Sequence, residues 1–260
     1  MLLAPDFAGN LAPMPEQPTD RLAQTSVPVH PPIAQRWSPR AFDLGHEVTP
    51  EQVTALLEAA RWAATWGGRQ PVRFIVGVRR AGAKRPGDES SRAGAKRPGD
   101  ESSRAGAKRP GDESSRAGAE RPGERASDAT FGALSGLLSR GNAYAEVAGA
   151  LILVCADEGD DANTALYSAV DAGAAQANLI TEAVSRGLIA HPMAGFDADG
   201  ARSVFGIPDQ IRPLMVIAIG ALADYATVSP DIAERDHKPR SRRPLDEVAF
   251  SGLWGQPWTC

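Results

Sequence analysis

Cysteine is almost missing from this 260-residue chain, which has two, Cys155 and Cys260. Two thiols, one of them inside an apolar run, exclude a disulfide scaffold and fit a reducing, cytoplasmic compartment. Long apolar runs are missing too. None approaches the roughly 20 residues of a membrane helix, so no membrane partner is expected. The opening Met1-Leu2-Leu3-Ala4-Pro5-Asp6 lacks the basic-then-apolar pattern of a secretion signal. Charge of one sign is not in excess, and a net −4 gives no basis for nucleic-acid binding. No glycine-rich dinucleotide fingerprint follows a strand and no phosphate loop ends in Gly-Lys-Ser/Thr. The four histidines, His30, His46, His191 and His237, lack paired ligand spacing, so no metal is expected. Cys155, in its apolar setting, reads as a structural thiol rather than a nucleophile. The apolar content of 42% is ordinary for a soluble fold, here one domain.

Two basic clusters stand out against this background. Arg36-Trp37-Ser38-Pro39-Arg40-Ala41-Phe42 lies toward one end and Arg240-Ser241-Arg242-Arg243-Pro244 toward the other. Each alternates cations with small or hydroxyl residues. Arginine presents a planar fork of N–H donors that fits phosphate oxygens two at a time, and serine adds a neutral donor. Either cluster alone reads more readily as solvated or paired surface charge. Two of them flanking one core suggest a phosphorylated cofactor gripped by both ends of the fold.

Between the clusters, helices and strands mix without the regular alternation of a doubly wound sheet, which predicts an α+β fold. Thr49-Pro50-Glu51-Gln52 forms a capping-box signature ahead of a helix carrying Val53, Leu56, Leu57, Ala60 and Ala64. Gln70 to Val78 reads as a strand with proline near its start. Ser127 is the expected N-cap of a helix carrying Phe131, Leu134, Leu137 and Leu138. Ala148 to Ala156 is a strand apolar on both faces. A long helix runs from Asn163 or Thr164 to Arg186 with Leu166, Val170, Ala174, Leu179, Ala183 and Val184 inward. Its Gly173 suggests close packing. A short helix over Ala198–Phe205 and a last strand over Leu214–Gly220 precede a proline- and charge-rich tail.

Two stretches carry little that can fold. Residues 1–28 are expected to form a disordered tail, leaving 29–256 as the domain. Within it, Ala-Gly-Ala-Lys-Arg-Pro-Gly-Asp-Glu-Ser-Ser-Arg occurs unchanged at 81–92, 93–104 and 105–116, with a decayed fourth copy from Ala117. Each copy has two alanines as its apolar content, so stacking the repeats buries almost nothing against about 1–2 kcal/mol of chain entropy per residue. With 11 basic and 8 acidic side chains over 81–126, the charge is nearly balanced. The segment reads as a disordered insertion made by tandem duplication, or else as a tether or binding arm.

Taken in order, the pieces are the Arg36 cluster, Ala60-Arg61-Trp62-Ala63-Ala64, Gln70-Pro71-Val72-Arg73-Phe74, Gly141-Asn142-Ala143-Tyr144-Ala145, Asp171-Ala172-Gly173, Gly187 to Asp197, Gly206-Ile207-Pro208, Ile217 to Gly220 and the Arg240 cluster. This ordered set resembles the FMN-dependent nitroreductase family from about residue 29 to 256. The resemblance implies a mostly antiparallel sheet flanked by helices in a domain-entwined homodimer, with FMN at the subunit interface. It implies that NAD(P)H reduces the flavin and that a small electrophilic acceptor, a nitroaromatic or quinone, reoxidises it. The flavin carries the chemistry, so no side chain is assigned a catalytic role. By the resemblance Arg36, Trp37, Ser38 and Arg40 match the N-terminal flavin contacts, and Arg240 and Arg242 the C-terminal phosphate contacts. Gly68 and Gln70 match the loop lining the ring. Pro192, Met193, Ala194 and Gly195 match the segment whose backbone N–H faces flavin N5.

The sequence also departs from that pattern. The family reads Ala-Pro-Ser-Ser-x-Asn-x-Gln-Pro-Trp where this chain has Ala63-Ala64-Thr65-Trp66-Gly67-Gly68-Arg69-Gln70-Pro71-Val72. Gly68 replaces the asparagine, removing one expected ring contact, Val72 replaces the tryptophan, and Trp66 adds an aromatic. Two further readings therefore stay open: a specialised flavin oxidase or dehydrogenase of this fold, and a degenerate flavin-binding or interaction protein.

Overall fold

A computed structural model describes residues 21–80 and 122–258 of the chain. The expected tail up to residue 20, the repeat up to Arg121 and Cys260 lie outside the described residues. The fold is organised by β2 (Ala150–Asp157), whose side chains are apolar on both faces. It runs antiparallel between β1 (Val72–Val78) and β4 (Ile211–Gly220), and β3 (Ile189–Met193) adds antiparallel to the far side of β4. Alternation along β2 divides the core in two. Ile152 and Val154 pack under α2 (Pro50–Arg61) and α4 (Ala162–Ser185). Leu151, Leu153 and Cys155 pack under α3 (Pro122–Gly136) and α5 (Ala198–Phe205) on the other face. The α+β architecture with an antiparallel sheet between helices is as expected from the sequence.

Local signals explain several boundaries. The Thr49 capping box forms completely: Gln52 N–H donates to Thr49 Oγ1 at 3.1 Å, and Thr49 N–H donates to Gln52 Oε1 at 2.9 Å. Asp161, not Asn163 or Thr164, caps α4 by accepting both of their N–H groups. The last strand begins at Ile211 rather than Leu214, because a bulge opposite Val154 and Cys155 accommodates Pro213 within the ladder. Ser127 does not cap α3. It lies inside the helix, and its Oγ accepts the Val78 N–H at 3.1 Å. Next to it, Asp128 accepts the Arg80 N–H at 3.2 Å, so the chain leaves β1 and returns to α3 at one place.

Further assignments change. Leu166 and Val170 on α4 point outward, at 61% and 59% exposure, while Thr164, Ser168, Asp171, Ala172 and Ala175 face inward. Small residues, not the longest apolar ones, set the helix phase because they let α2 and β2 approach closely. Gly173 is not part of that approach, since a Cβ there meets nothing within 4 Å. The C-terminal stretch is also more ordered than its composition suggests. It contains α6 (Pro230–His237), capped by Ser229.

One glycine is required by packing. A Cβ on Gly77 of β1 would sit 2.3 Å from the Phe131 backbone nitrogen and 2.4 Å from its Cα. Backbone cannot rotate aside as a side chain can, so overpacking outweighs the entropy that alanine would remove from the unfolded chain. Gly77→Ala is expected to destabilise the protein by about 2–3 kcal/mol in chemical denaturation. An unchanged midpoint would mean that α3 does not seat on β1.

Candidate functional site

The arginine clusters at the two ends of the sequence meet, and a buried carboxylate brings them together. Asp236 on α6 has a fully buried side chain. Its Oδ2 accepts the N–H groups of Arg40 at 2.7 Å and Ala41 at 3.1 Å, and the Tyr225 hydroxyl at 3.2 Å. Its Oδ1 accepts from Arg40 Nη1 at 3.4 Å. Four donors explain how a charge is tolerated in the interior. The segment after α6 crosses back over the first cluster: Arg240 donates from Nη2 to the Arg36 carbonyl at 3.0 Å and from Nη1 to the Arg21 carbonyl. Arg21 donates to the Lys238 carbonyl, and its guanidinium lies over the Trp37 ring at 5.2 Å.

The result is a cavity of about 250 Å³ lined by six arginines (Arg21, Arg36, Arg40, Arg235, Arg240, Arg242) and Lys238, with Asp236 as the acid and Ser38 as a neutral donor. Burial pulls the Arg36 and Arg240 guanidinium groups below their ordinary range. Arg242 adds to the effect on Arg36, while Arg36, Arg242 and Arg21 add to that on Arg240. Cations in excess of acids, partly desolvated and repelling one another, are relieved by a polyanion. Arg40 also keeps a buried Nε with no acceptor among the described residues. Of the expected contacts, Arg36, Trp37, Ser38, Arg40, Arg240 and Arg242 are thus gathered in one cleft, and a phosphate fits it.

Pro192 and Met193 belong to edge strand β3, where a residue without an N–H is tolerated. Ala194 and Gly195 follow it. The Gly195 carbonyl accepts from Ser139 N–H at 3.0 Å, Ser139 Oγ at 2.8 Å and Asn142 Nδ2 at 2.8 Å. Beside this segment, Tyr144 meets His191 Nε2 at 3.0 Å, and His191 Nδ1 lies 2.9 Å from the Pro39 carbonyl. A carbonyl only accepts, so Nδ1 carries a proton. Burial lowers the imidazole pKa, the Pro39 bond opposes this, and the Arg40 charge adds to it. Burial pushes the Tyr144 phenol up to about 12. The Arg40 guanidinium sits 5.7 Å from the Tyr144 ring centre, and both residues line a second cavity of about 670 Å³. Burial lifts the Cys155 thiol to about 11, in keeping with an inert core residue.

Gly68 and Gln70 lie elsewhere. Gln70 lines a cavity of about 110 Å³ with Asp171, and this cavity contains none of the arginines of the cleft. The loop is held by Asp171, whose two carboxylate oxygens each lie 3.1 Å from the Trp66 N–H. Gly67, Gly68 and Gln70 all take left-handed backbone angles, with φ of 57°, 67° and 50°. For glutamine that conformation is uncommon and marks a constrained loop. Trp66 stacks on Tyr167 of α4 at 5.1 Å and 14°, and the Arg69 guanidinium lies 5.2 Å from the Trp66 ring centre.

The sequence reading misses Arg21, Arg235, Asp236 and Lys238 in the cleft, and gives no role to Tyr144 or His191. Ser229-Pro230, a cap and first-turn proline like Thr49-Pro50, is the signal that would have revealed α6 and thereby Asp236.

Fold and cleft together define an α+β protein in which an N-terminal and a C-terminal arginine cluster line one cavity. The nitroreductase family model matches residues 33–221, and the chain belongs to that family. An uncharacterised 15.4 kDa protein from Mycolicibacterium smegmatis is 63% identical over 131 residues, covering 50% of this chain and 88% of its own length. A solved oxidoreductase containing FMN is 28% identical with a TM-score of 0.64, covering 89% of this chain and 95% of its own. A nitroreductase-fold protein in complex with FMN from Exiguobacterium sibiricum has 18% identity and a TM-score of 0.59 over 88% and 99% of the two chains, a likeness of fold.

His191 gives the protein a pH signature. Its folded pKa lies below the unfolded value of about 6.5, so the unfolded state binds the proton more readily. Its stabilising contribution is complete above about pH 6.5 and is lost as the pH falls toward the folded value. Arg40 and Arg235 oppose its protonation and Asp236 favours it. Melting temperatures followed from pH 8 to pH 5 are expected to fall more steeply for the native chain than for His191→Gln. Parallel curves would remove His191 as the cause.

Proposed function

We propose that this member of the family is an FMN-dependent oxidoreductase of nitroreductase type. In this reading NAD(P)H is the reductant and a small nitroaromatic or quinone the acceptor, each using the same site in turn. The observation that carries it is the meeting of the two arginine clusters in one cation-lined cleft. Bound there, the flavin would supply hydride acceptance and donation at N5, and the chain would supply position and electrostatics. Arg36, Ser38, Arg40 and Arg242 would hold the phosphate, with Arg240 tying the C-terminal segment across Arg36. The backbone of Pro192–Gly195 would lie against the ring. A cation beside the ring's pyrimidine edge favours the reduced, anionic form, a role suited to Arg40.

The reading includes a homodimer. Gln70 lines a cavity separate from the arginine cleft of its own chain, and in this reading a second copy would bring its loop to the ring. Apolar surface suited to such pairing is present: Leu166 and Val170 on α4, and Leu253 and Trp254 at 70% and 92% exposure near the C-terminus. A second reading, a specialised flavin oxidase or dehydrogenase, is favoured by the Arg69–Trp66–Tyr167 stack, which gives the loop a bulky, fixed surface where the family pattern has small residues. Turnover with a dedicated metabolite but with no nitroaromatic or quinone would select it.

An absorption spectrum of the purified protein, recorded before and after anaerobic NAD(P)H, tests the main proposal. A flavin band that bleaches is expected. Protein that is colourless and stays colourless after incubation with FMN would overturn it.

Gly68 offers a second test. Its φ of 67° is one that asparagine adopts more readily than most residues, and a Cβ there meets nothing within 4 Å. Gly68→Asn is expected to tighten FMN binding up to about tenfold by restoring one hydrogen bond. Weaker binding in a fluorescence titration would count against a ring-facing Gly68.

A further inference from the structure

The two segments assigned to the flavin above, Arg36–Arg40 and Pro192–Gly195, are joined by a run of polar contacts through side chains that the proposed function does not use. At one end is the Gly195 carbonyl with its three donors from Ser139 and Asn142. A Cβ there would stand 2.6 Å from Ser139 Oγ and 2.9 Å from Asn142 Nδ2, so any larger residue obliges these two donors to shift. Because Asn142 must turn its amide nitrogen toward the Gly195 carbonyl, its Oδ1 faces outward and meets the Tyr144 hydroxyl at 3.3 Å. That hydroxyl also reaches His191 Nε2 at 3.0 Å, and His191 reaches the Pro39 carbonyl at 2.9 Å, one residue before Arg40.

Tyr144 therefore has one proton and two acceptors. While His191 is neutral, with Nδ1–H given to Pro39, the shorter bond to Nε2 takes the proton. If His191 is protonated, its Nε2–H donates to the phenol oxygen and the phenol proton turns to Asn142. In both arrangements the tyrosine ties β3 and the Pro39 peptide to the Ser139–Tyr144 turn. Its ring, under Arg40, ties that cation to the same turn.

We propose that Asn142 and Tyr144 are positioning residues for the flavin ring, holding the Gly195 peptide in register with the Pro39–Arg40 peptide. The proposal rests on the flavin reading above but concerns the ring half of the site, not the phosphate grip. Positioning of this kind acts on flavin with or without its phosphate, and that is its signature.

The test uses the full chain, stripped of flavin and titrated with FMN and with riboflavin, in Asn142→Ala, Tyr144→Phe and the double variant. Both single variants are expected to weaken FMN and riboflavin by the same factor, about three- to tenfold, the scale of one net hydrogen bond. The flavin-free chain should stay folded and melt cooperatively, with a melting temperature lowered by about 2–4 °C for each bond removed. The double variant is expected to lose no more than the larger single loss, because the two side chains act in one chain of contacts. Arg242→Ala serves as the contrast, weakening FMN while sparing riboflavin. Native-like affinities in both single variants overturn the proposal. So does a loss confined to FMN, a flavin-free chain that no longer melts cooperatively, or single losses that multiply in the double variant. A native chain that binds neither flavin is a different result, which removes the proposed function itself.

Discussion

A single carboxylate decides whether this chain can have a cation-lined cleft. Six arginines and a lysine line one cavity, and partial burial of Arg36 and Arg240 removes some of the water that would screen their mutual repulsion. Asp236 answers this from inside, with no exposed side-chain surface. It takes two consecutive backbone N–H groups as well as a guanidinium and a phenol, so it fixes the course of the Arg40–Ala41 peptide and not only its charge. The helix that carries it leads directly into Lys238, Arg240 and Arg242. One residue therefore sets both walls of the cleft, and their spacing follows from the fold of α6 rather than from the ligand.

The rest of the site hangs on the sheet. β2 and β4 are occupied on both faces by core, so functional residues can come only from edges and connections. The Gly195 segment leaves edge strand β3, the arginine segment arrives by the Phe42–Leu222 bridge beyond β4, and the Trp66–Gln70 loop precedes edge strand β1. Each is then stiffened by one polar anchor reaching in from a helix or turn: Asn142 for Gly195, Asp236 for Arg40, Asp171 for Trp66. The anchors are buried or half-buried.

What the sequence discloses follows the range of the interactions. The capping box at Thr49 is legible because both of its bonds span three residues. The double-faced β2 is legible because burial on both sides leaves an unbroken apolar run. The phase of α4 is not, because alanine, serine and threonine face inward there and hydrophobicity points to Leu166 and Val170 instead. Least legible is the Arg40–Asp236 contact, between residues separated by 196 positions, where a buried aspartate in a charged, proline-rich stretch looks like every exposed one. The convergence of the two arginine clusters is suggested by their chemistry. What makes them converge is visible only in three dimensions.

The junction between β1 and α3 carries a consequence of another kind. The Val78 N–H meets Ser127 Oγ at 3.1 Å and the Arg80 N–H meets Asp128 Oδ1 at 3.2 Å, so the exit and re-entry points of the chain are pinned side by side by the core itself. The fold here imposes a distance and no length. Each doubling of the intervening chain adds only about 0.6 kcal/mol of closure entropy, less than one net hydrogen bond. Any segment whose two ends lie close together meets the geometry that this junction sets.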